Sequence, residues 1–192
     1  MGKERLTAFT DGVVAIIITI MVLELKLPHG THLADLAPVL PLFLSYLLSF
    51  IYIGIYWNNH HHMLQLAGSV SGPILWANLH LLFWLSLIPF ATAWIGENHL
   101  AAVPVAVYGG LLIMAAIAYT ILMTLLIRHQ GPGSALAHAM GRDIKGKVSL
   151  GIYAAGVALA FVDTRASIAL YVAVALIWFA PDRRVERVLG GA

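Results

Sequence analysis

The sequence predicts an all-α, polytopic membrane protein, and both its composition and its hydropathy support that prediction. Apolar residues make up 60% of the 192 residues and charged residues only 10%, against roughly 25% in a typical soluble domain. The mean hydropathy is +0.87, and a soluble fold cannot bury that much apolar surface. Several stretches reach the length of about 20 apolar residues that a helix needs to cross the hydrocarbon core. We therefore expect the solvent of this chain to be largely lipid.

Six segments are predicted to span the membrane, and they form a single domain, residues 1–192. The last two are short and are separated only by Asp163-Thr164, which predicts a helical hairpin with a tight turn. Pro89 lies inside the third segment and is expected to kink it, because proline lacks the backbone N–H that a helix uses. The predicted spans lie at about 8–27, 39–62, 74–96, 102–127, 147–162 and 165–180.

The lysines and arginines predict the orientation of the chain in the cell membrane. With six spans, both termini lie on one side, and cytoplasmic segments carry an excess of Lys and Arg. A cytoplasmic N-terminus leaves only Lys26 and Arg165 on the outside. The other nine then lie inside, and both termini are predicted to be cytoplasmic: Lys3, Arg5, Arg128, Arg142, Lys145, Lys147, Arg183, Arg184 and Arg187.

Several classes of function find no support in the sequence. There is no phosphate-binding glycine loop and no Ser/His/Asp set at nucleophile spacing, so we expect neither an enzyme nor a cofactor. The net charge of +2 is too small to indicate a nucleic-acid partner, and the absence of cysteine excludes thiolate metal sites. His60, His61 and His62 are consecutive, whereas two ligands on one helix need i,i+4 spacing, so no metal site is predicted. The Thr-Val-Gly-Tyr-Gly filter of potassium channels is also absent.

The first span carries an aliphatic stripe on one face. When each residue advances by about 100°, Ile16, Ile20, Leu23 and Leu27 fall within about 60° of one another. Asp11 lies on nearly the opposite face. One face is therefore suited to a constriction, although aliphatic stripes most often pack against lipid or other helices. The other face can direct a carboxylate into the body of the protein.

Polar side chains are predicted to meet at the cytoplasmic ends of the first three spans. An ionisable residue at the edge of a membrane span is costly to desolvate and usually has a partner. We expect Asp11 to be buried and to accept hydrogen bonds from the second and third spans, where Trp, Asn and His can donate. The alternative is a helix-entry carboxylate stabilised by the helix dipole and Arg5. The residues at this depth are Arg5, Asp11, Trp57, Asn58, Asn59, His60, His61, His62, Asn78 and His80.

The segment Arg5-x-x-x-Phe9-Thr10-Asp11 resembles the Arg-x-x-x-Phe-Ser-Asp signature of the transmembrane protein 175 family, the endosomal and lysosomal potassium channels of animals and their prokaryotic relatives. Further matches are Trp57-x-x-His60-His61, then Asn78-Leu-x-Leu-Leu, and after it Leu87-Ile-Pro89-Phe90-x-Thr92. The resemblance covers about the first half of the chain. The later spans match the family only in number and length.

This resemblance implies a homotetrameric, potassium-permeable channel whose first helices line a central pore. An aliphatic residue five positions after the signature aspartate, here Ile16, would form the narrowest ring, and Thr19 would face the pore beyond it. We expect Ile20 and Leu23 to face the same axis. Potassium ions, other copies of the chain and the lipid bilayer are then the partners. A structural network would hold the first helix against the second and third, formed by Arg5, Phe9, Thr10, Asp11, Trp57, His60, His61 and Asn78.

Two other classes of membrane protein remain open from the residues alone. A small secondary transporter or proton-coupled carrier would use Asp11 as its titrating group, and discontinuous helices in paired halves would favour it. No such pairing is evident in the sequence. A membrane scaffold that conducts nothing is the third class.

Overall fold

The computed structural model describes residues 2–140 and 143–179, and within them the chain is helical throughout apart from its connections. Arg142, the arginines at 183, 184 and 187, and the end of the sixth predicted span lie outside the described residues. One 3-10 helix, Leu33–Val39, precedes α2. The α-helices are α1 Lys3–Leu23, α2 Leu40–Leu66, α3 Gly72–Ser86, α4 Ile88–Glu97, α5 Ala102–Gln130, α6 Ala135–Met140, α7 Ile144–Leu159 and α8 Thr164–Phe179.

Four helical segments within the described residues are long and apolar enough to cross a membrane. They are Lys3–Leu23, Leu33–Leu66, Gly72–Glu97 and Ala102–Gln130. The helix α7 has 16 residues, or about 24 Å at 1.5 Å per residue, which is shorter than the roughly 30 Å hydrocarbon core. The helix α8 is described over 16 residues, up to Phe179. The all-helical, multi-pass character predicted from the sequence is confirmed, whereas six complete spans are not shown.

The third predicted span consists of two helices, and the kink expected there is confirmed. The helix α3 ends at Ser86, Leu87 separates it from α4, and Pro89 lies in the first turn of α4. Pro89 has no N–H to donate to the carbonyl of Leu85, and its ring crowds that carbonyl, so the helix cannot continue unbroken.

The first helix begins earlier and ends earlier than the apolar pattern predicts. It starts at Lys3, because the charged residues of the first turn continue the helix beyond the apolar segment. It ends at Leu23, where the N–H of Glu24 bonds the carbonyl of Ile20 and that of Leu25 bonds the carbonyl of Val22. Leu27 therefore lies beyond α1, although the sequence places it on the same stripe as Ile16.

The interior of the bundle is centred on α5 and contains a cluster of tyrosines. Tyr52 of α2, Tyr108 of α5 and Tyr171 of α8 are each at most 1% exposed. The Tyr52 hydroxyl donates to the carbonyl of Tyr171 at 2.6 Å, and Tyr108 shares a 3.0 Å hydrogen bond with Ser49 of α2. Ser49 in turn bonds Thr92 of α4 at 2.6 Å. Each of these hydroxyls has a hydrogen-bond partner, either another hydroxyl or a backbone carbonyl, which offsets the cost of burying polar groups in an apolar bundle.

The helix α1 lies at the edge of this bundle and packs against α2, α3 and α4. Its buried face contains Leu6, Val14, Ile17 and Met21, all at most 5% exposed. Since only this face is used for packing, the opposite face of α1 remains on the outside of the protomer. The fold thus presents one side of the first helix to whatever surrounds the chain.

Candidate functional site

The stripe predicted on the first span is the exposed face of α1. Ile16 is 60% exposed, Ile20 44% and Leu23 76%, whereas Ile17, next to Ile16 in sequence, is 3% exposed. A crevice of about 610 Å³ runs beside Ile16 and Ile20, between α1 and α4. The three aliphatic residues therefore face outward together and are available to line a surface shared with other copies of the chain.

Thr19 borders this stripe and is also exposed. Its hydroxyl donates to the carbonyl of Ala15 at 2.8 Å, one turn earlier in the same helix. This bond uses the only proton of the hydroxyl and leaves lone pairs on the oxygen. The oxygen can therefore act as an acceptor, or as a ligand to a cation, on the same side of α1 as Ile16.

A buried chain of hydrogen bonds joins α1 to α2 and α3 on the opposite face. The Asn78 side-chain amide donates to the Thr10 hydroxyl at 2.9 Å, and its oxygen lies 2.7 Å from Nε2 of His60. Asn78 is 0% exposed, and Thr10 and His60 are 2% exposed. The predicted network therefore has Asn78 at its centre, with one residue from each of three helices.

The prediction that Asp11 is buried and bonded to both neighbouring helices is wrong for the protomer. Asp11 is partly exposed, and its carboxylate accepts one hydrogen bond, from the Trp57 indole N–H of α2 at 2.8 Å. Asp11 follows Thr10 by about 100° around the helix. Because Thr10 takes the position facing α3, Asp11 is turned toward the rim of α2. The bond to the third span is made by Thr10, which the resemblance places in the same network as Asn78 without pairing the two.

Arg5 and Phe9 lie on the exposed side of α1. They precede Ile16 by about three and about two helical turns respectively, and so share its face. Within the described residues, no hydrogen bond or ion pair joins the Arg5 side chain to α2 or α3. The expectation that Arg5 ties α1 to these helices is therefore not met within one protomer, and the roles of Arg5 and Phe9 stay predictions.

His61 extends the polar cluster at the end of α2. Its ring stacks on Trp57, with ring centroids 6.0 Å apart and an interplanar angle of 23°, and it bonds the Gln65 side chain at 2.8 Å. It therefore packs against the same indole that bonds Asp11. In the described part of the chain, no group of three or more His, Asp or Glu side chains is arranged to hold a metal ion.

The other end of α1 carries an ion pair that the sequence pattern did not indicate. Lys26, just beyond α1, lies 2.9 Å from the carboxylate of Glu97 at the end of α4, and both side chains are well exposed. Lys26 is separated from Glu24 by one residue in the sequence, but the structure pairs it with Glu97 of α4.

The apolar helices, with one helix held by a polar network and exposing an aliphatic face, define a multi-pass membrane protein. The sequence profile of the endosomal/lysosomal potassium channel TMEM175 matches residues 5–89, which include α1 from its third residue onward and the hydrogen-bonded residues Thr10, His60 and Asn78. The chain belongs to the TMEM175 family, and the resemblance seen in the sequence is confirmed. This is a family of ion channels and not of enzymes.

Three relatives place the chain within the family. A potassium channel of Chryseobacterium sp. strain P1-3 is 57% identical over 189 residues, covering 98% of each chain. The crystal structure of a lysosomal potassium-selective channel TMEM175 homolog from Chamaesiphon minutus superimposes with a TM-score of 0.79 at 28% identity, covering 94% of this chain and 97% of that one. The chicken endosomal/lysosomal proton channel TMEM175 is 36% identical over 75 residues, which are 33% of this chain and 15% of that protein.

Proposed function

We propose that this protein is a cation channel that prefers potassium, formed by four copies of the chain around a pore lined by α1. The observation that carries the proposal is the exposed stripe of Ile16, Ile20 and Leu23 on a helix whose opposite face is packed and hydrogen-bonded. The Chryseobacterium relative, which matches almost the whole chain and is named a potassium channel, supports potassium as the ion. The short hairpin α7–α8 completes six spans, with both termini in the cytoplasm and the chain in the cell membrane.

In this proposal, four Ile16 side chains form the constriction. An aliphatic ring offers a cation no ligands, so the ion must cross it partly dehydrated, and a narrow ring of this kind can also close by dewetting. Potassium holds its water less tightly than sodium and therefore crosses more easily. The selectivity is expected to be modest, because no cage of carbonyl oxygens replaces the hydration shell. Thr19 places a hydroxyl oxygen just outside the ring, where the ion regains a ligand.

Proton permeation is a second candidate function, and the name of the chicken relative favours it. A proton-coupled carrier would instead use Asp11, which is partly exposed and accepts only the Trp57 N–H among its described contacts. A channel passes ions passively in both directions, whereas a carrier couples the movement of one ion to that of another. Flux measurements that vary the potassium, sodium and proton gradients independently therefore distinguish these functions.

The test is passive flux into liposomes that contain the purified protein, measured for potassium and sodium. Ile16→Asn places four amides in the constriction, so we expect faster flux and a lower preference for potassium over sodium. Ile121→Asn is the matched control, because Ile121 is an isoleucine of α5 with 40% exposure and lies away from the α1 stripe. Unchanged flux in Ile16→Asn, or an equal change in Ile121→Asn, would remove Ile16 from the ion path.

The proposal also requires oligomers. The described core of the protomer is packed around α5, so we expect the water-filled path to form where copies of α1 meet around a symmetry axis. Gly12 is exposed on α1, and a Cβ there would meet nothing within 4 Å of the rest of the protomer, which leaves room for close approach between copies. Mass measurement in mild detergent should give a tetramer. A monomer that still passes potassium after reconstitution at one chain per vesicle would refute the shared pore.

A further inference from the structure

We propose that Lys3 and Gln130 are positioning residues that tie α1 to α5 by gripping the same loop. The loop, residues 67–71, connects α2 to α3 and is here called the 67–71 loop. Neither residue belongs to the family signature, and neither touches the exposed stripe of α1. The hydrogen bonds of Lys3 and Gln130 to this loop, here called the grip, are a feature of the fold. Its consequence for ion passage rests on the proposed function.

On the side of α1, Lys3 supplies the contact. Its ammonium donates to the carbonyl of Ala67 at 2.8 Å, and Ala67 is 1% exposed. Ala67 caps the C-terminus of α2, where carbonyls lack helical partners and the helix dipole favours a positive charge. Lys3 is itself half-buried. The first turn of α1 is therefore fastened to the end of α2 by a charge-assisted bond that a neutral side chain would not replace.

On the side of α5, Gln130 holds the next two residues of the loop. Its amide oxygen accepts from the N–H of Gly68 at 3.1 Å, and its amide nitrogen donates to the carbonyl of Ser69 at 2.9 Å. The neighbouring His129 adds a 3.1 Å contact between its Nε2 and the Ser69 hydroxyl. A bidentate amide fixes both the position and the orientation of the loop backbone.

The two contacts act on α1 together, because they are made to three consecutive loop residues, Ala67, Gly68 and Ser69. Within the described residues, every side-chain hydrogen bond from α1 to another helix or loop comes from its first nine positions: Lys3, Thr10 and Asp11. Residues 12–23, which include the proposed constriction, make none. The position of the stripe is therefore determined by contacts near the N-terminus of α1. The 67–71 loop connects that end of α1 to Gln130 of α5.

A spin label at the start of α1 tests the grip without reference to ion flux. The chain has no cysteine, so Gly2→Cys gives a single labelling site, and a Cβ there meets nothing within 4 Å. In reconstituted protein, Lys3→Met should raise the ratio of mobile to immobile label by about tenfold or more, as expected for the loss of one hydrogen bond from a charged group. Lys3→Arg, which still donates, should restore the immobile spectrum.

The decisive variant is Gln130→Leu, which removes a residue that does not contact α1. We expect the same rise in label mobility, and no further rise when Gln130→Leu is combined with Lys3→Met, since both act through one loop. Lys147→Met is the matched control, because it removes an exposed lysine of α7 and should leave the label unchanged. An immobile label in Gln130→Leu, or additive effects in the double variant, would overturn the proposal.

Flux in the same liposomes separates this inference from the proposed function. If α1 lines the pore, Lys3→Met and Gln130→Leu should both lower the ratio of potassium to sodium flux, and Lys147→Met should not. Ordinary selectivity in both variants, despite mobile labels, would overturn their role in positioning the constriction. An absence of flux in the unmodified protein would instead overturn the proposed function and leave the grip itself to be judged by the label.

Discussion

Replacing Asn78 by leucine tests whether the buried network holds α1 in place. The substitution keeps the approximate size of the side chain and removes both of its hydrogen bonds, to Thr10 and to His60. Both partners are 2% exposed, so water does not readily replace what is lost. Trp57→Phe is the comparison, because it removes the single bond to Asp11 at a side chain that is 42% exposed.

The expected loss of stability follows from the number and burial of these contacts. Interhelical hydrogen bonds in a bilayer average about 0.6 kcal/mol, so two of them give a lower bound of about 1 kcal/mol. Two buried groups left without a partner cost about 1–3 kcal/mol each, which gives an upper bound of about 6 kcal/mol. Since three helices meet at Asn78, we expect Asn78→Leu to cost about 2–4 kcal/mol. For Trp57→Phe we expect a loss of about 0.5–1 kcal/mol in the free energy of unfolding, because solvent can bond the partly exposed carboxylate of Asp11.

The assay is unfolding of the purified protein by titration with sodium dodecyl sulfate in mixed micelles, followed by circular dichroism. Asn58→Leu is the matched control, since Asn58 is exposed on α2 near the same level and its loss should leave the free energy of unfolding nearly unchanged. A larger loss for Trp57→Phe than for Asn78→Leu would refute the ranking. That result would mean that another copy of the chain seals the Asp11–Trp57 pair from solvent.

Two further substitutions test packing and surface charge. Gly109→Ala should destabilise the protein by about 1–3 kcal/mol relative to Gly110→Ala in the same unfolding assay. The reason is that a Cβ on Gly109 would lie 2.6 Å from Cζ of Tyr171, whereas a Cβ on Gly110 meets nothing within 4 Å. Equal stabilities of the two variants would show that Tyr171 moves aside without cost. Lys26→Met should change the free energy of unfolding by less than about 1 kcal/mol, because the Lys26–Glu97 pair is well exposed. A larger loss would indicate that this pair holds the C-terminal end of α1.

The sequence determined the class of protein and the two faces of its first helix. Composition and hydropathy indicate lipid as the solvent, and helical periodicity alone separates Ile16, Ile20 and Leu23 from Asp11. The break at Pro89 also follows from local chemistry, since proline cannot supply the missing N–H. These predictions succeed because they depend on neighbours in sequence, which the chain itself specifies. The family signature added the expectation of a pore, which periodicity does not contain.

The tertiary structure decided which polar groups meet. Charge and position in the sequence favoured Asp11 as the buried centre of the network, but the rotation of α1 against α3 gives that place to Thr10 and Asn78, and leaves Asp11 partly exposed beside Trp57. The grip of Lys3 and Gln130 on one loop joins residues that are 127 positions apart in the numbering, and no local pattern predicts it. Helical periodicity fixes the angle between two residues on one helix. Which of those residues contacts a neighbouring helix is determined only when the helices pack.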